Sequence, residues 1–201
     1  MSNPRISIVV PAHHGMRHYG FFMERLIRSL DHQTFRDFEL IVTHEGKMAA
    51  NTNAGIKKAK GEIVKILFMD DYFYDKDALK HIHEKFIGGW LATGCVHDDG
   101  EIFSPHVPAW NDQIRSGLNT IGSPSVVAFE NNDPLLFDEK MSWLLDCDLY
   151  YRLHERYGEP TLLDSLDIAM GVGVHQTSFL MSDKEKQEEH DYITKKYGTT
   201  N

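Results

Sequence analysis

The feature that most constrains this chain is an alternation of apolar strand patterns and amphipathic helix patterns, repeated three times between residues 5 and 89. The strand runs are RISIVVPA, DFELIVTHEG and EIVKILFM, and a helical pattern follows each of them. In the first helix, apolar residues recur at the spacing of one helix face, namely Phe22, Leu26, Ile27 and Leu30. Such alternation is typical of parallel strands joined by crossover helices. We therefore expect an α/β fold with a mostly parallel open sheet flanked by helices.

The alternation stops after residue 89. Residues 95–125 are rich in Gly, Pro, Asp and Ser, which predicts a loop or a short hairpin. SPSVVAFE then predicts a strand, LLDCDLYYRLHERYG an amphipathic helix and TLLDSLDIAMGVGVH one or two short strands. A polar last helix is expected to begin at a capping box formed by Ser182 and Glu185. Without repeats or a linker pattern, we expect residues 1–201 to form one domain.

The composition argues against several classes of protein. A formal net charge of −9 disfavours a nucleic-acid binder or a protein of anionic membranes. Two cysteines, Cys95 and Cys147, cannot build a disulfide framework and favour a reducing compartment. The first apolar run is too short for a signal peptide, and no stretch approaches the roughly 18 apolar residues of a membrane helix. We expect a soluble protein without a transmembrane segment.

Polar residues follow all three of the early strand patterns, at Pro11–His13, His44–Glu45 and Asp70–Asp71. In an open α/β sheet, ligands bind beyond the carboxyl ends of the strands, so these segments are expected to converge on one crevice. Adjacent carboxylates repel and need a cation, hydrogen-bond donors or open water. Their oxygens suit Mg²⁺ or Mn²⁺, which could bridge to a diphosphate. An isolated Asp-Asp pair is a solvated turn or a helix N-cap about as often as it is part of a functional site.

Four segments occur in an order that resembles the family 2 glycosyltransferases, which have the GT-A fold. They are ISIVVPAHHG, QTFRDFELIVTHEG, NAGIKKAKGEIVKILFMDDYF and LLDCDLYYRL, and the resemblance covers residues 4–178. It implies metal-dependent transfer of a sugar from a nucleotide-diphosphate sugar, most simply a UDP-sugar, to a glycan or another hydroxyl acceptor. It also implies a nucleotide-binding part over residues 1–90 and an acceptor-binding, catalytic part over residues 91–201.

The resemblance also implies roles for individual residues. Asp70 matches a metal-binding position of the family's D-x-D motif, and His175 falls where many such enzymes place a histidine on Mn²⁺ or Mg²⁺. Asp146 matches the Asp of the E-D motif that supplies the catalytic base. With one base opposite the leaving group, a single displacement would invert the anomeric centre. The other implied donor-binding residues are Pro11, Ala12, His13, Glu45, Asn53 and Asp71.

The sequence departs from the family pattern at three positions. Phe68 replaces the first Asp of D-x-D, Thr52 replaces the usual Arg, and Leu145 replaces the Glu of E-D. These departures leave two other interpretations open: a metal-dependent phosphohydrolase or nucleotidyltransferase, and a non-catalytic module that binds nucleotide sugars. The chain is also short for this family, so it could be one domain of a larger protein. The expected location is a bacterial cytoplasm or that of a virus-infected host.

The main site residues also have plain structural interpretations. Asp146 could be a carboxylate that favours the positive end of a helix dipole, and His175 could be a hydrogen-bonded histidine without a ligand. Asp148 matches the next acidic position and could face solvent or replace Asp146 as the base. Trp143 could stack on an acceptor sugar or pack in the core.

Overall fold

The computed structural model describes residues 3–198, and its first part contains the predicted alternation of strands and helices. The elements are β1 (Ile6–Pro11), α1 (Tyr19–Asp31), β2 (Phe38–Thr43), α2 (Met48–Ile56), β3 (Ile63–Ile66), β4 (Tyr72–Phe73) and α3 (Ala78–Lys85). Strand β1 pairs in parallel with both β2 and β3. The parallel arrangement expected from the crossover helices is therefore confirmed for these three strands.

The second part contains longer strands than the sequence pattern suggested. Its elements are β5 (Trp90–Asp98), β6 (Ile102–His106), β7 (Val127–Glu130), α4 (Leu145–Tyr157), β8 (Thr161–Gly171), α5 (Thr177–Leu180) and α6 (Asp183–Tyr197). Strands β5 and β6 form a hairpin, which is one of the two alternatives predicted for residues 95–125, although β5 begins earlier, at Trp90. The segment predicted as one or two short strands is the single strand β8. The capping box at the start of α6 is present as predicted.

All the strands join one sheet in the order β2-β1-β3-β7-β5-β8-β4, and β6 pairs with β5. Strands β5 and β8 are parallel, whereas β7 runs antiparallel to both β3 and β5. The predicted open α/β sheet with flanking helices is confirmed. Its parallel pairing falls into two blocks, β1–β3 and β5 with β8, because β7 enters the sheet between β3 and β5 in the opposite direction.

The core lies along the central strands and one face of each of the longer helices. Strands β1 and β3 are buried along their whole length, so both of their faces are covered. Helix α1 buries Phe22, Leu26 and Leu30, while Ile27, which was expected on the same face, is 37% exposed. Within residues 3–198, no helix has both the length and the apolar character required to cross a bilayer.

The close packing of the turn between α2 and β3 leaves no space for a side chain at Gly61, so a larger residue there is expected to lower the stability of the fold. A Cβ at this position would lie 2.7 Å from the Ser7 backbone nitrogen and 2.8 Å from the Ile6 carbonyl carbon. Because backbone atoms cannot move aside cheaply, Gly61→Ala is expected to destabilise the fold by about 1–3 kcal/mol. Thermal unfolding would measure this, with Gly20→Ala as the control, since a Cβ at Gly20 meets nothing within 4 Å. Equal melting temperatures for the two variants would contradict the prediction.

Candidate active site

A cleft of about 250 Å³ lies where the ends of β3 and β8 meet the first turn of α4. Its walls include four of the residues predicted for the site, namely Asp70, Asp71, Asp146 and His175. These residues come from three distant parts of the sequence. The sheet brings Asp70 and Asp71 to the beginning of the segment that follows β8, and α4 supplies Asp146 from the side.

Asp70 and His175 face each other directly across this cleft. The Asp70 Oδ2 atom lies 3.0 Å from His175 Nε2, and the hydrogen bond raises the pKa of His175 above its ordinary value. Arg25 of α1 supports the same turn, because its guanidinium donates to the Asp70 backbone carbonyl at 2.5 Å and to Asp98 at 2.7 Å. The guanidinium also stacks over the ring of Tyr72 at 4.4 Å.

Asp71 has a different environment from its neighbour. Its side chain is buried and accepts a hydrogen bond of 2.8 Å from the Gly171 backbone N–H, and a longer one of 3.4 Å from the Ser123 hydroxyl. Burial raises the pKa of Asp71, and the charge of Asp70 adds to this effect. The two neighbours therefore have different environments: Asp70 bonds a histidine, whereas the raised pKa of buried Asp71 favours its uncharged form, which limits the repulsion between them.

The donor set at the cleft fits a metal ion that shares its coordination with a ligand. Within residues 3–198, no group of three or more His, Cys, Asp or Glu side chains could hold a metal. Asp70 and His175 supply one carboxylate and one imidazole. Their side-chain atoms are hydrogen-bonded to each other at 3.0 Å, so the two lie close enough to contribute to one ion. Diphosphate oxygens and water would have to supply the remaining ligands.

Asp146 lies in the first turn of α4 and lines the same cleft. Its Oδ2 accepts a 2.7 Å hydrogen bond from the Asn119 carboxamide, and its Oδ1 accepts one of 2.7 Å from the Cys147 backbone N–H. Both donors are neutral, so no cation compensates the charge through these bonds. Burial raises the pKa of Asp146 to about 6. Asp146 is therefore a carboxylate that can accept a proton near neutral pH.

Asp148 occupies a quite different position, although it is only two residues further along α4. It is fully buried, and its carboxylate accepts hydrogen bonds from Arg152, Lys196 and Tyr197. The expectation that Asp148 faces solvent or acts as a second base is therefore wrong. Its oxygens accept hydrogen bonds from Lys196 and Tyr197 that connect α4 to α6.

The predicted donor-binding residues at the end of β1 lie outside the lining of this cleft. Pro11 ends the strand, and buried Ala12 uses its backbone to bind the Thr43 carbonyl and the Asn51 carboxamide. His13 is partly buried, and burial lowers its pKa. Their contacts with a nucleotide stay predictions.

Glu45 and Asn53 are also held by other protein groups. The Glu45 carboxylate pairs with Lys58 at 2.8 Å and borders a separate depression of about 420 Å³. Asn53 is buried, and its carboxamide exchanges hydrogen bonds with the Phe137 backbone while donating to the Glu139 carboxylate. In this arrangement Asn53 fixes the loop at residues 137–139, and its predicted nucleotide contact is untested.

Asn119 and Arg25 contribute to the site but were not identified from the sequence. Asn119 lies in the segment predicted as a loop or a short hairpin, where an asparagine normally indicates only a turn. Arg25 lies on an otherwise ordinary amphipathic helix, where an arginine is normally a solvated residue. Neither role follows from spacing, because each depends on a contact with a distant part of the chain.

Comparisons with other proteins show similarity in structure only. No protein-family model and no curated protein matches this sequence. The S. aureus TarS 1–349 fragment in complex with UDP-GlcNAc matches 98% of this chain with a TM-score of 0.65 and 17% identity. A mannosyltransferase from Pyrobaculum calidifontis, PcManGT, solved with GDP-Man and Mn²⁺, matches 100% of the chain with a TM-score of 0.64 and 14% identity.

The matching proteins are longer than this chain. It spans 68% of the TarS fragment, 67% of the mannosyltransferase and 42% of the longer TarS chain. Both TarS and the mannosyltransferase are glycosyltransferases with the GT-A fold. The chain therefore has the GT-A fold, as the sequence resemblance implied.

The contrast between Asp146 and Asp148 gives a test of the site's electrostatics. The pKa of Asp146 is raised from 3.8 to about 6, so the charged carboxylate is disfavoured in the folded state. Ionisation therefore destabilises the fold progressively from about pH 4 to about pH 6, by at most about 3 kcal/mol, and the loss persists at higher pH. Asp146→Asn should be more stable than the unaltered chain at pH 8, by roughly 1–2 kcal/mol, and should lose this advantage near pH 4.

Urea unfolding at the two pH values measures the effect, with Asp148→Asn as the matched control. This variant should be destabilised, because Lys196 and Arg152 lose a buried counter-charge. If Asp146→Asn is less stable than the unaltered chain at pH 8, the carboxylate is structural and its proposed environment is wrong.

Proposed function

We propose that this chain transfers a sugar from a nucleotide-diphosphate sugar, most simply a UDP-sugar, to a hydroxyl group of a glycan or another acceptor. The observation that carries the proposal is the grouping of Asp70, His175 and Asp146 in one cleft of a GT-A fold. The neighbouring structures with UDP-GlcNAc and with GDP-Man support a nucleotide sugar as the donor. They do not favour one sugar over another.

Asp70 and His175 would act on the donor side of the reaction. Together they would hold Mn²⁺ or Mg²⁺, and the imidazole favours Mn²⁺, because Mg²⁺ strongly prefers oxygen ligands. When bound, such an ion neutralises the charge that develops on the leaving diphosphate. Arg25 would keep the Asp70 turn in place through its bond to the Asp70 carbonyl.

Asp146 would act on the acceptor side. The acceptor hydroxyl must lose a proton as it attacks the sugar, and a base with a pKa of about 6 is mostly ionised at neutral pH and still able to take that proton. Asn119 would orient the carboxylate through its bond to Oδ2. A single displacement assisted by this base would invert the anomeric centre.

The two parts of the chain would then bind different substrates, the first part the donor and the second part the acceptor. The donor would lie against residues 1–90, with Pro11, Ala12, His13 and Glu45 near the base and ribose. The acceptor would enter beside residues 91–201, where Trp143 borders the cleft next to Asp146. In the sheet, β7 follows β3 and begins the strands of the second part, while β4 of the first part lies at the far edge beside β8.

The metal proposal predicts a specific loss of donor binding. Asp70→Ala should remove the Mn²⁺-dependent part of UDP-sugar or GDP-sugar affinity, because the diphosphate loses its counter-charge. A thermal-shift titration with and without Mn²⁺ measures this, since a ligand at 100 times its Kd stabilises the fold by about 2.7 kcal/mol. The control is Asp164→Ala, which changes an exposed carboxylate of β8. Unchanged Mn²⁺-dependent binding in the Asp70 variant would remove Asp70 from the metal site.

The base proposal predicts a loss of transfer without a loss of donor binding. Asp146→Asn keeps the size and polarity of the side chain, so donor affinity should stay within a few-fold while transfer falls by about 10²–10⁴-fold. Transfer to added glycans, with the anomeric configuration of the product, is the measurement. A retained configuration would rule out the single displacement. Donor binding without transfer to any acceptor, even in the unaltered chain, would instead indicate the non-catalytic module.

A further inference from the structure

The last helix, α6, holds the backbone that leads into α4. The carboxylate of Glu189 accepts hydrogen bonds from three consecutive backbone N–H groups, those of Ser142 at 2.7 Å, Trp143 at 2.9 Å and Leu144 at 2.9 Å. Glu189 is only 8% exposed, although α6 as a whole is a polar helix. Glu189 is therefore turned inward, as is Ile193 of the same helix.

These bonds fix the turn that leads into α4. The first N–H groups of a helix have no partner within the helix and are usually capped by a Ser, Thr, Asp or Asn side chain. The residue before α4 is Leu144, which has no capping side chain. Of the three N–H groups, only that of Leu144 belongs to the end of α4, and those of Ser142 and Trp143 lie in the turn before it. Glu189 therefore fixes the backbone that enters α4, with its charge near the positive end of the helix dipole.

A second contact joins the last turn of α6 to the first turn of α4. Lys196 and Tyr197 donate to the buried carboxylate of Asp148 at 2.6 Å and 2.5 Å. The two carboxylates therefore connect the helices in opposite directions, Glu189 from α6 to the segment before α4 and Asp148 from α4 to α6. Because both contacts lie at the start of α4, a shift of this turn along α6 would break buried charge-assisted bonds.

The segment that Glu189 holds forms part of the cleft wall. Ser142, Trp143, Leu145 and Asp146 line the cleft. The N–H groups that bond Glu189 are those of Ser142, Trp143 and Leu144. A small displacement of this backbone would move the Asp146 carboxylate relative to the acceptor. In enzymes, a misplacement of about 1 Å can reduce the rate by about 10²-fold.

We propose that Glu189 is a positioning residue for sugar transfer: it holds the start of α4 so that Asp146 and the rim at Trp143 meet the acceptor hydroxyl. This inference rests on the proposed function. Glu189 does not itself line the cleft, so it would act through the backbone of residues 142–144. Its removal should therefore affect the acceptor side and leave the donor side, on β3 and β8, unchanged.

The test compares Glu189→Gln with Glu188→Gln in the full chain. Glutamine has a single acceptor oxygen and no charge, so it cannot accept the three bonds. The adjacent Glu188 is 64% exposed and lies 3.7 Å from Lys184, so its variant makes the same chemical change without touching α4. Glu189→Gln should lower kcat by at least about 10-fold with the KM for the donor within about two-fold, and Glu188→Gln should change neither.

Hydrogen exchange provides a readout that needs no substrate. Faster exchange in Glu189→Gln should be confined to residues 142–146, with β1–β3 protected as in the unaltered chain. An unchanged kcat would overturn the inference, as would a parallel loss of donor binding and of thermal stability, which would mark Glu189 as a general stabiliser. If the unaltered chain transfers no sugar, the proposed function fails and so does the positioning role of Glu189 in transfer, while the exchange data still show whether Glu189 holds residues 142–144.

Discussion

The candidate site depends on the close approach of two backbone segments, the turn at Asp70–Asp71 and the end of β8 at Gly171. A Cβ on Gly171 would lie 2.4 Å from the Asp70 carbonyl oxygen, so a larger residue could not occupy this position without moving the turn. The Asp71 carboxylate bonds the Gly171 N–H across the same gap. Because His175 follows four residues later, this contact also brings the imidazole to Asp70. The metal-binding proposal thus relies on a glycine that is not itself a ligand.

Local patterns predicted the first part of the fold much better than the second. Strands β1–β3 are short apolar runs separated by amphipathic helices, and their parallel pairing follows from that order. The full length of strand β5 was not predicted, because Thr93, Gly94 and His97 interrupt its apolar character. Asp98 and Gly100, at its end, are typical of a loop. The position of β7 between β3 and β5 is a matter of pairing between distant segments. Such pairing depends on which faces are buried, and periodicity within a segment does not report it.

The same distinction separates the site residues that were found from those that were missed. Asp70, Asp71, Asp146 and His175 come together because strand ends and helix starts collect at one edge of an open sheet. Asn119, Arg25 and Glu189 act through hydrogen bonds to groups far away in the sequence, and side chains of these types are usually solvated. Lys65 is a related case, since this lysine interrupts the apolar β3 and is fully buried, with its ammonium on the Ser125 carbonyl. Burial lowers its pKa to about 7, a cost that no local pattern reveals.

The pairing of β4 with β8 has a consequence for how the chain folds as it is synthesised. Phe73 of β4 pairs with Ile168 of β8, so this edge of the sheet cannot close until the roughly 95 residues after β4 have been made. Strands β1–β3 can assemble early from neighbouring segments, whereas the cleft must wait for β8 and the residues beyond it. Contacts between such distant residues close slowly, because the loop entropy is lost before the contact is gained. A growing chain would thus expose the unpaired edge of β4 until β8 is made, and its candidate site would form only after strands β1–β3.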